Sequence, residues 1–146
     1  MEFNKEGYLP EGIHTLSWEE FEITFGFSPK RKELLEGLLQ VINILKICGC
    51  EAIYIDGSFV TDKLEPDDWD ACFKGSAQSL KTLKRQEPCL LLTDDYKLRE
   101  TQKQKFKGEL FFYSLYAGLN ISYLDFFQGI KGAKRKKKGI IKINLN

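Results

Sequence analysis

Two short apolar runs, Ala52-Ile53-Tyr54-Ile55 and Ala71-Cys72-Phe73, constrain this chain more than any other feature of it. Each is too short for a helix and is bounded by turn or acidic residues, so each reads as a buried strand. The first closes on Asp56-Gly57-Ser58-Phe59 and the second opens with Asp68-Trp69-Asp70, nine residues separating Ser58 from Asp68. Residues two apart on a strand share a face, so Asp68 and Asp70 project together while Trp69 turns to the other side. Two adjacent carboxylates repel unless a cation or a shared proton intervenes. A Gly-Ser turn at a strand end leaves backbone N–H groups and a hydroxyl for phosphate oxygens. A phosphate cradle beside a carboxylate pair is the minimal equipment for metal-assisted nucleotidyl transfer.

Around these runs the pattern alternates between helix and strand. Gly7 to Thr15, with Pro10 and Gly12, reads as an extended or loop-like opening that places His14, the only histidine, in a loop. Ser17-Trp18-Glu19-Glu20 matches a capping box and predicts a short helix ending near Gly26. Ser28-Pro29 starts a second helix, with serine as cap and proline in the first helical position. Its residues Leu34, Leu35, Leu38, Leu39, Val41, Ile42 and Leu45 form a wide apolar face suited to packing on a sheet, and Gly49 ends it. Strands are expected over Glu51 to Asp56, Trp69 to Phe73, Glu109 to Tyr113 and Gly139 to Leu145. Helices are expected over Ser76 to Arg85 and Asp94 to Lys105, a loop over Val60 to Asp67, and a helical turn over Ser122 to Phe127. Cys89 to Leu92 is too short to assign. The fold class is therefore α/β or α+β, a mixed β-sheet flanked by helices. At 146 residues the chain is expected to be one domain, 1–146, with residues 1–16 an extended segment packed on it.

Composition narrows the partners. A net charge of +1 gives no bulk attraction to nucleic acid, so charge-driven binding must come from local patches. The one charge run is Lys131 to Lys138 (Lys131, Lys134, Arg135, Lys136, Lys137 and Lys138), which reads either as a solvated hairpin loop or as an RNA- or phosphate-binding arm. No aromatic residue interleaves with it, so base stacking is not implied. No apolar run approaches the ~20 residues of a membrane span, and Met1 to Glu6 has no signal-peptide character, so a cytoplasmic protein is expected. Cys48, Cys50, Cys72 and Cys89 read as structural thiols; the Cys48-Gly49-Cys50 spacing lacks the two-residue gap of a zinc knuckle. Asp56, Asp62 and Asp67 read as solvated loop acids, with Asp56 near enough to shape the site.

The order strand, Gly57-Ser58, then Asp68-x-Asp70 on the next strand resembles the DNA polymerase beta-type nucleotidyltransferase superfamily, in particular its minimal, single-domain bacterial and archaeal members. Three further pieces, Gly7-Tyr8-Leu9-Pro10-Glu11-Gly12-Ile13-His14, Asp56-Gly57-Ser58-Phe59-Val60-Thr61 and Leu124-Asp125-Phe126-Phe127-Gln128, look like an uncharacterised bacterial family of small nucleotidyltransferase-like proteins. The resemblance implies that Asp68 and Asp70 bind Mg²⁺ or Mn²⁺ and that a third acid completes the catalytic set. Glu109, which opens an apolar strand, is the candidate, in a place where aspartate is usual. Asp125 is the fallback, although its apolar neighbours favour a capping or core-edge role. Gly57 and Ser58 would hold the β- and γ-phosphates of a nucleoside triphosphate, and the third carboxylate could take the acceptor's proton. The implied reaction moves a nucleoside monophosphate to a protein or RNA hydroxyl. The acceptor could be a separate protein, such as the toxin of a toxin–antitoxin pair. The alternative is a catalytically inactive protein of the same fold, acting as an antitoxin-like partner or a nucleotide or RNA binder.

Overall fold

Local sequence sets the two N-terminal helices as expected. In the computed structural model, which describes residues 2–91, 96–112, 116–118, 121–122, 129–130 and 133–146 (backbone alone at Tyr96 and from 116 to 137), α1 spans Trp18–Phe25 and α2 spans Pro29–Ile47. The Ser17 hydroxyl accepts the Glu20 N–H while the Glu20 carboxylate accepts the Ser17 N–H, so the capping box is complete. Ser28 caps α2 through the Arg31 N–H, with Pro29 opening the helix. Leu34, Leu35, Leu38, Val41, Ile42 and Leu45 are buried on one face of α2, together with Phe21 and Phe25 of α1.

The strands are β1 (Ile13–Thr15), β2 (Ala52–Asp56), β3 (Trp69–Lys74), β4 (Gly108–Phe112), β5 (Tyr116–Gly118), β6 (Ile121–Ser122), β7 (Gly129–Ile130), β8 (Ala133–Lys137) and β9 (Ile140–Asn144). Five of them form one mixed sheet in the order β1-β9-β2-β3-β4, parallel at both edges and antiparallel in the middle. The other helices are α3 (Ala77–Gln86) and α4 (Tyr96–Phe106). The protein is thus a mixed sheet with helices packed against it, the expected α+β class. Ile53, Ile55, Trp69, Ala71, Phe73, Leu110, Ile141 and Ile143 line one face of the sheet and join the helix residues in the main core. Ala52, Tyr54, Cys72, Phe111 and Ile140 form a smaller buried cluster on the opposite face. Trp69 does turn away from its flanking aspartates: it is fully buried and its Nε1–H donates to the Phe106 carbonyl at 2.8 Å.

Several expectations require correction. His14 lies in β1, paired with Ile141 of β9, since the backbone of a short edge strand finds a partner regardless of local loop signals. The basic run contains a strand, β8, paired antiparallel with β7; backbone ladders set pairing there and charge did not reveal it. Ile121–Ser122 is a strand paired with β5, and the remainder of the predicted helical turn, Asp125 included, lies outside the described residues. So do Asp94 at the start of the predicted polar helix, Tyr113 and Lys131. All four cysteines are free and buried. Among the described residues no helix is long and apolar enough to cross a membrane.

The segment after β2 is organised by Arg31. Gly57–Val60 forms a 3-10 turn, and the guanidinium of Arg31, fully buried, lies beneath it. Arg31 Nη1 donates to the carbonyls of Phe25 (3.1 Å) and Phe59 (2.6 Å), Nη2 to those of Thr61 and Lys63 (both 2.7 Å), and Nε to Lys63 again (2.9 Å). Its carbon centre lies 4.1 Å from the Phe27 ring centroid and 4.9 Å from that of Phe59. Burial lowers its pKa to about 10, with Asp62 opposing the shift, so it stays charged at neutral pH. The partners are backbone oxygens, which a planar fork satisfies and a single ammonium cannot. Arg31→Met should leave these buried acceptors unpaired and cost at least about 3 kcal/mol in chemical denaturation. Arg31→Lys should lose less yet stay below wild type; a midpoint unchanged in both would mean that the 57–63 segment holds itself.

Candidate active site

Register, more than motif spacing, assembles the acidic site. Asp56 is the last residue of β2 and sits directly opposite Asp70 of β3, which in turn pairs with Glu109 of β4. Residues in register across neighbouring strands share a face, so three carboxylates stand in a row across the second face of the sheet. Asp68, two residues before Asp70, adds a fourth charge that acts directly on Asp70. The structure therefore brings together Asp68, Asp70 and Glu109, the three acids expected from the sequence. It also adds Asp56, which is 5% exposed and part of a strand rather than a solvated loop acid. That correction follows from pairing, which no single stretch of sequence displays.

Gly57 closes against this row. Its φ is +77°, a left-handed conformation that favours glycine, and a Cβ there would fall 2.5 Å from Asp70 Oδ2. The absent side chain is what lets the Asp70 carboxylate lie against the turn. Ser58 follows, half-buried, its carbonyl accepting the Thr61 hydroxyl at 2.6 Å. The turn and the acids are thus one unit, held from below by Arg31.

Cations flank the row from both ends. Lys103 Nζ lies 2.9 Å from Glu109 Oε1 and Arg99 Nη2 lies 3.0 Å from Oε2. At the other end Lys138 Nζ is 3.2 Å from Asp56 Oδ1. Asp70, in the middle, has no ion pair among the described residues. Burial, then the charges of Asp68, Glu109 and Asp56, push its carboxyl up to about 7. Burial raises Asp56 to about 6 against the pull of Lys138, and raises Asp68 as well. Burial would raise Glu109 too, but hydrogen bonds from Lys103 and Arg99 outweigh it and hold that carboxyl below its ordinary value.

The oxygen donors suit a hard divalent cation such as Mg²⁺ in kind. Asp70, pushed up by burial and then by the charges of Asp68, Glu109 and Asp56, is the carboxyl that a cation would relieve. As the side chains stand, no three acidic, histidine or cysteine groups among the described residues close a metal-binding set. Glu109 faces Lys103 and Arg99 instead. A cation would need Asp68 and Asp70 first, with Glu109 exchanged from its lysine and arginine.

The profile of a family of unknown function, DUF6932, matches residues 1–144. The chain belongs to that family. No curated protein and no solved structure matches it. In this DUF6932 protein the matched region spans every element of the acidic row, its flanking cations and Arg31. Sequence reasoning missed Arg31, Arg99 and Lys103, and it named Lys138 only as part of the basic run, not as the partner of Asp56. Arg31 had a readable signal: it falls on the apolar stripe of α2, three and four residues before Leu34 and Leu35, where a charge must find partners. Arg99 and Lys103 are four apart on α4 and precede Glu109 closely, a pattern that hints at a shared target but does not name it.

Raised carboxyl pKa values make a stability prediction with a definite sign. Between the ordinary Asp value of 3.8 and about 7, the native state keeps a proton on Asp70 that the unfolded chain has released. Stability therefore falls as pH rises through that window and levels off above it. In EDTA, wild type should lose on the order of 1–3 kcal/mol between pH 5 and pH 8. Asp70→Asn should flatten most of that slope. A wild-type slope of zero or of opposite sign over the same interval would show that burial and the neighbouring charges do not hold a proton on Asp70.

Proposed function

We propose that this DUF6932 protein is a metal-dependent nucleotidyltransferase that moves a nucleoside monophosphate from a nucleoside triphosphate to a protein or RNA hydroxyl. The observation that carries the reading is the in-register row Asp56–Asp70–Glu109 with Gly57 pressed against Asp70, which sets a glycine turn beside a concentrated negative charge. Asp68, Asp70 and Glu109 would hold Mg²⁺ or Mn²⁺. The bound ions would neutralise the triphosphate and make its α-phosphorus more electrophilic.

The protein's own groups supply the rest. Gly57 allows close backbone approach to phosphate oxygens, and Ser58 offers a hydroxyl to one of them. Arg31 fixes the turn through the carbonyls of Phe59, Thr61 and Lys63, so that its N–H groups are oriented before a ligand arrives. Glu109 is ionised and could accept a proton from an acceptor hydroxyl once its two cations move aside. The acceptor would come as a separate molecule, a partner protein such as a toxin or an RNA, in the cytoplasm.

A second reading has an observation of its own. Because Lys103 and Arg99 already occupy both oxygens of Glu109, the same fold could bind nucleotide or a partner without transferring anything.

Incubation with each α-labelled nucleoside triphosphate, Mn²⁺ or Mg²⁺, and cell lysate separates the two. The enzyme reading expects label on a protein or RNA, and its loss in Asp70→Asn. It also expects the divalent cation to stabilise wild type by about 2.7 kcal/mol at a hundredfold excess over Kd, and to leave Asp70→Asn unmoved. Nucleotide binding with no label transfer under any condition selects the binding reading; no response of wild type to cation, even with nucleotide, rules out the enzyme.

A further inference from the structure

Lys103 and Arg99 lie four residues apart on α4, so one helical turn sets both side chains on the same side. Each takes a different oxygen of Glu109, at 2.9 and 3.0 Å, while the glutamate itself is only 10% exposed. Two cations on one carboxylate exceed what its charge needs. The surplus reaches further along the row, where Lys103 also lowers Asp68 and Asp70. The helix cannot drift from the strand: only Lys107 separates α4 from β4, and its φ of 68° makes a sharp, left-handed turn. Arg99 completes its contacts poorly. Its Nε is buried without a hydrogen-bond partner among the described residues, and its guanidinium lies 5.5 Å from the Phe111 ring centroid.

We propose that Lys103 and Arg99 are resident counter-cations of the acidic row, positioning residues that a divalent cation must displace from Glu109 before the row can close around it. The inference rests on the metal-site reading of the row and adds what controls entry. Cation alone meets a carboxylate already satisfied, so its affinity is held down by α4. A ligand whose anionic oxygens draw the lysine and arginine away would release that restraint. Metal and anionic ligand are then coupled through two named side chains, and by linkage each favours the other.

The test measures Mn²⁺ binding by the full chain, by calorimetry or by the free-ion electron paramagnetic resonance signal, without nucleotide. Four proteins are compared: wild type, Lys103→Met, Glu109→Gln and the double variant. Lys103→Met should bind Mn²⁺ at least about fivefold tighter than wild type, and the gain should shrink to less than about twofold in the Glu109→Gln background. Arg99→Met should act in the same direction and serves as the second probe if Lys103→Met folds poorly; the two side chains are 40% and 41% exposed, and melting curves report the fold. Wild-type binding with no gain in either variant overturns this inference and leaves the metal site standing. An equal gain with and without Glu109 also overturns it, since general charge removal would then explain the effect. Absence of Mn²⁺ binding in wild type and both single cation variants overturns the inference and the metal reading together; binding that emerges only in the variants supports both.

Discussion

The buried guanidinium of Arg31 is the interaction on which the rest of the architecture leans. A charge taken out of water is tolerated only with a full set of partners, and here those partners are carbonyl oxygens from the end of α1 and from the segment after β2. One side chain thereby joins two helices to the turn that carries Gly57. The Ser28 hydroxyl reinforces the same junction, since it caps α2 and also donates to the Leu64 carbonyl at 2.8 Å. The apolar stripe of α2 supplies the platform; Arg31 supplies the directional bonds that fix what sits on it.

The carboxylate row is the opposite kind of element. It gathers four like charges on one face of a sheet whose other face is a dense apolar core, and it balances them incompletely. Lys138 holds one end, Lys103 and Arg99 the other, and Asp70 between them is left to burial and its neighbours. Groups arranged at such an electrostatic disadvantage are common at functional sites, where stability is given up for chemistry. The apolar core behind β2 and β3 is what tolerates it.

What could be read from the sequence was local. Ser17 with Glu20, and Ser28 with Pro29, announce helix starts because capping acts between residues three apart. The alternation Asp68-Trp69-Asp70 announces opposite faces because strand geometry has period two. What escaped was relational. Asp56 looked like a loop acid until its partner across the ladder was known, and Lys138 lies far along the chain from Asp56, the acid it pairs with. The basic run read as a loop because charge is visible in sequence, whereas the pairing of β8 with β7 is a backbone property. Asp70 and Glu109 came together because each is the second residue of its strand, so that a flush alignment of strand beginnings aligns them too, with Asp68 just ahead of β3.

That flush alignment has a consequence for how the gene for such a protein can change. Asp56, Asp70 and Glu109 occupy the same face only because β2, β3 and β4 hold a single register, and a shift by one residue exchanges the two faces of a strand. Inserting or deleting one codon inside β3 would present Trp69 or Ala71 where Asp70 stands and drive a carboxylate into the apolar core. Substitutions can therefore accumulate one at a time along these strands, but length changes cannot. A length change inside these strands would disrupt the acidic row and the apolar core together.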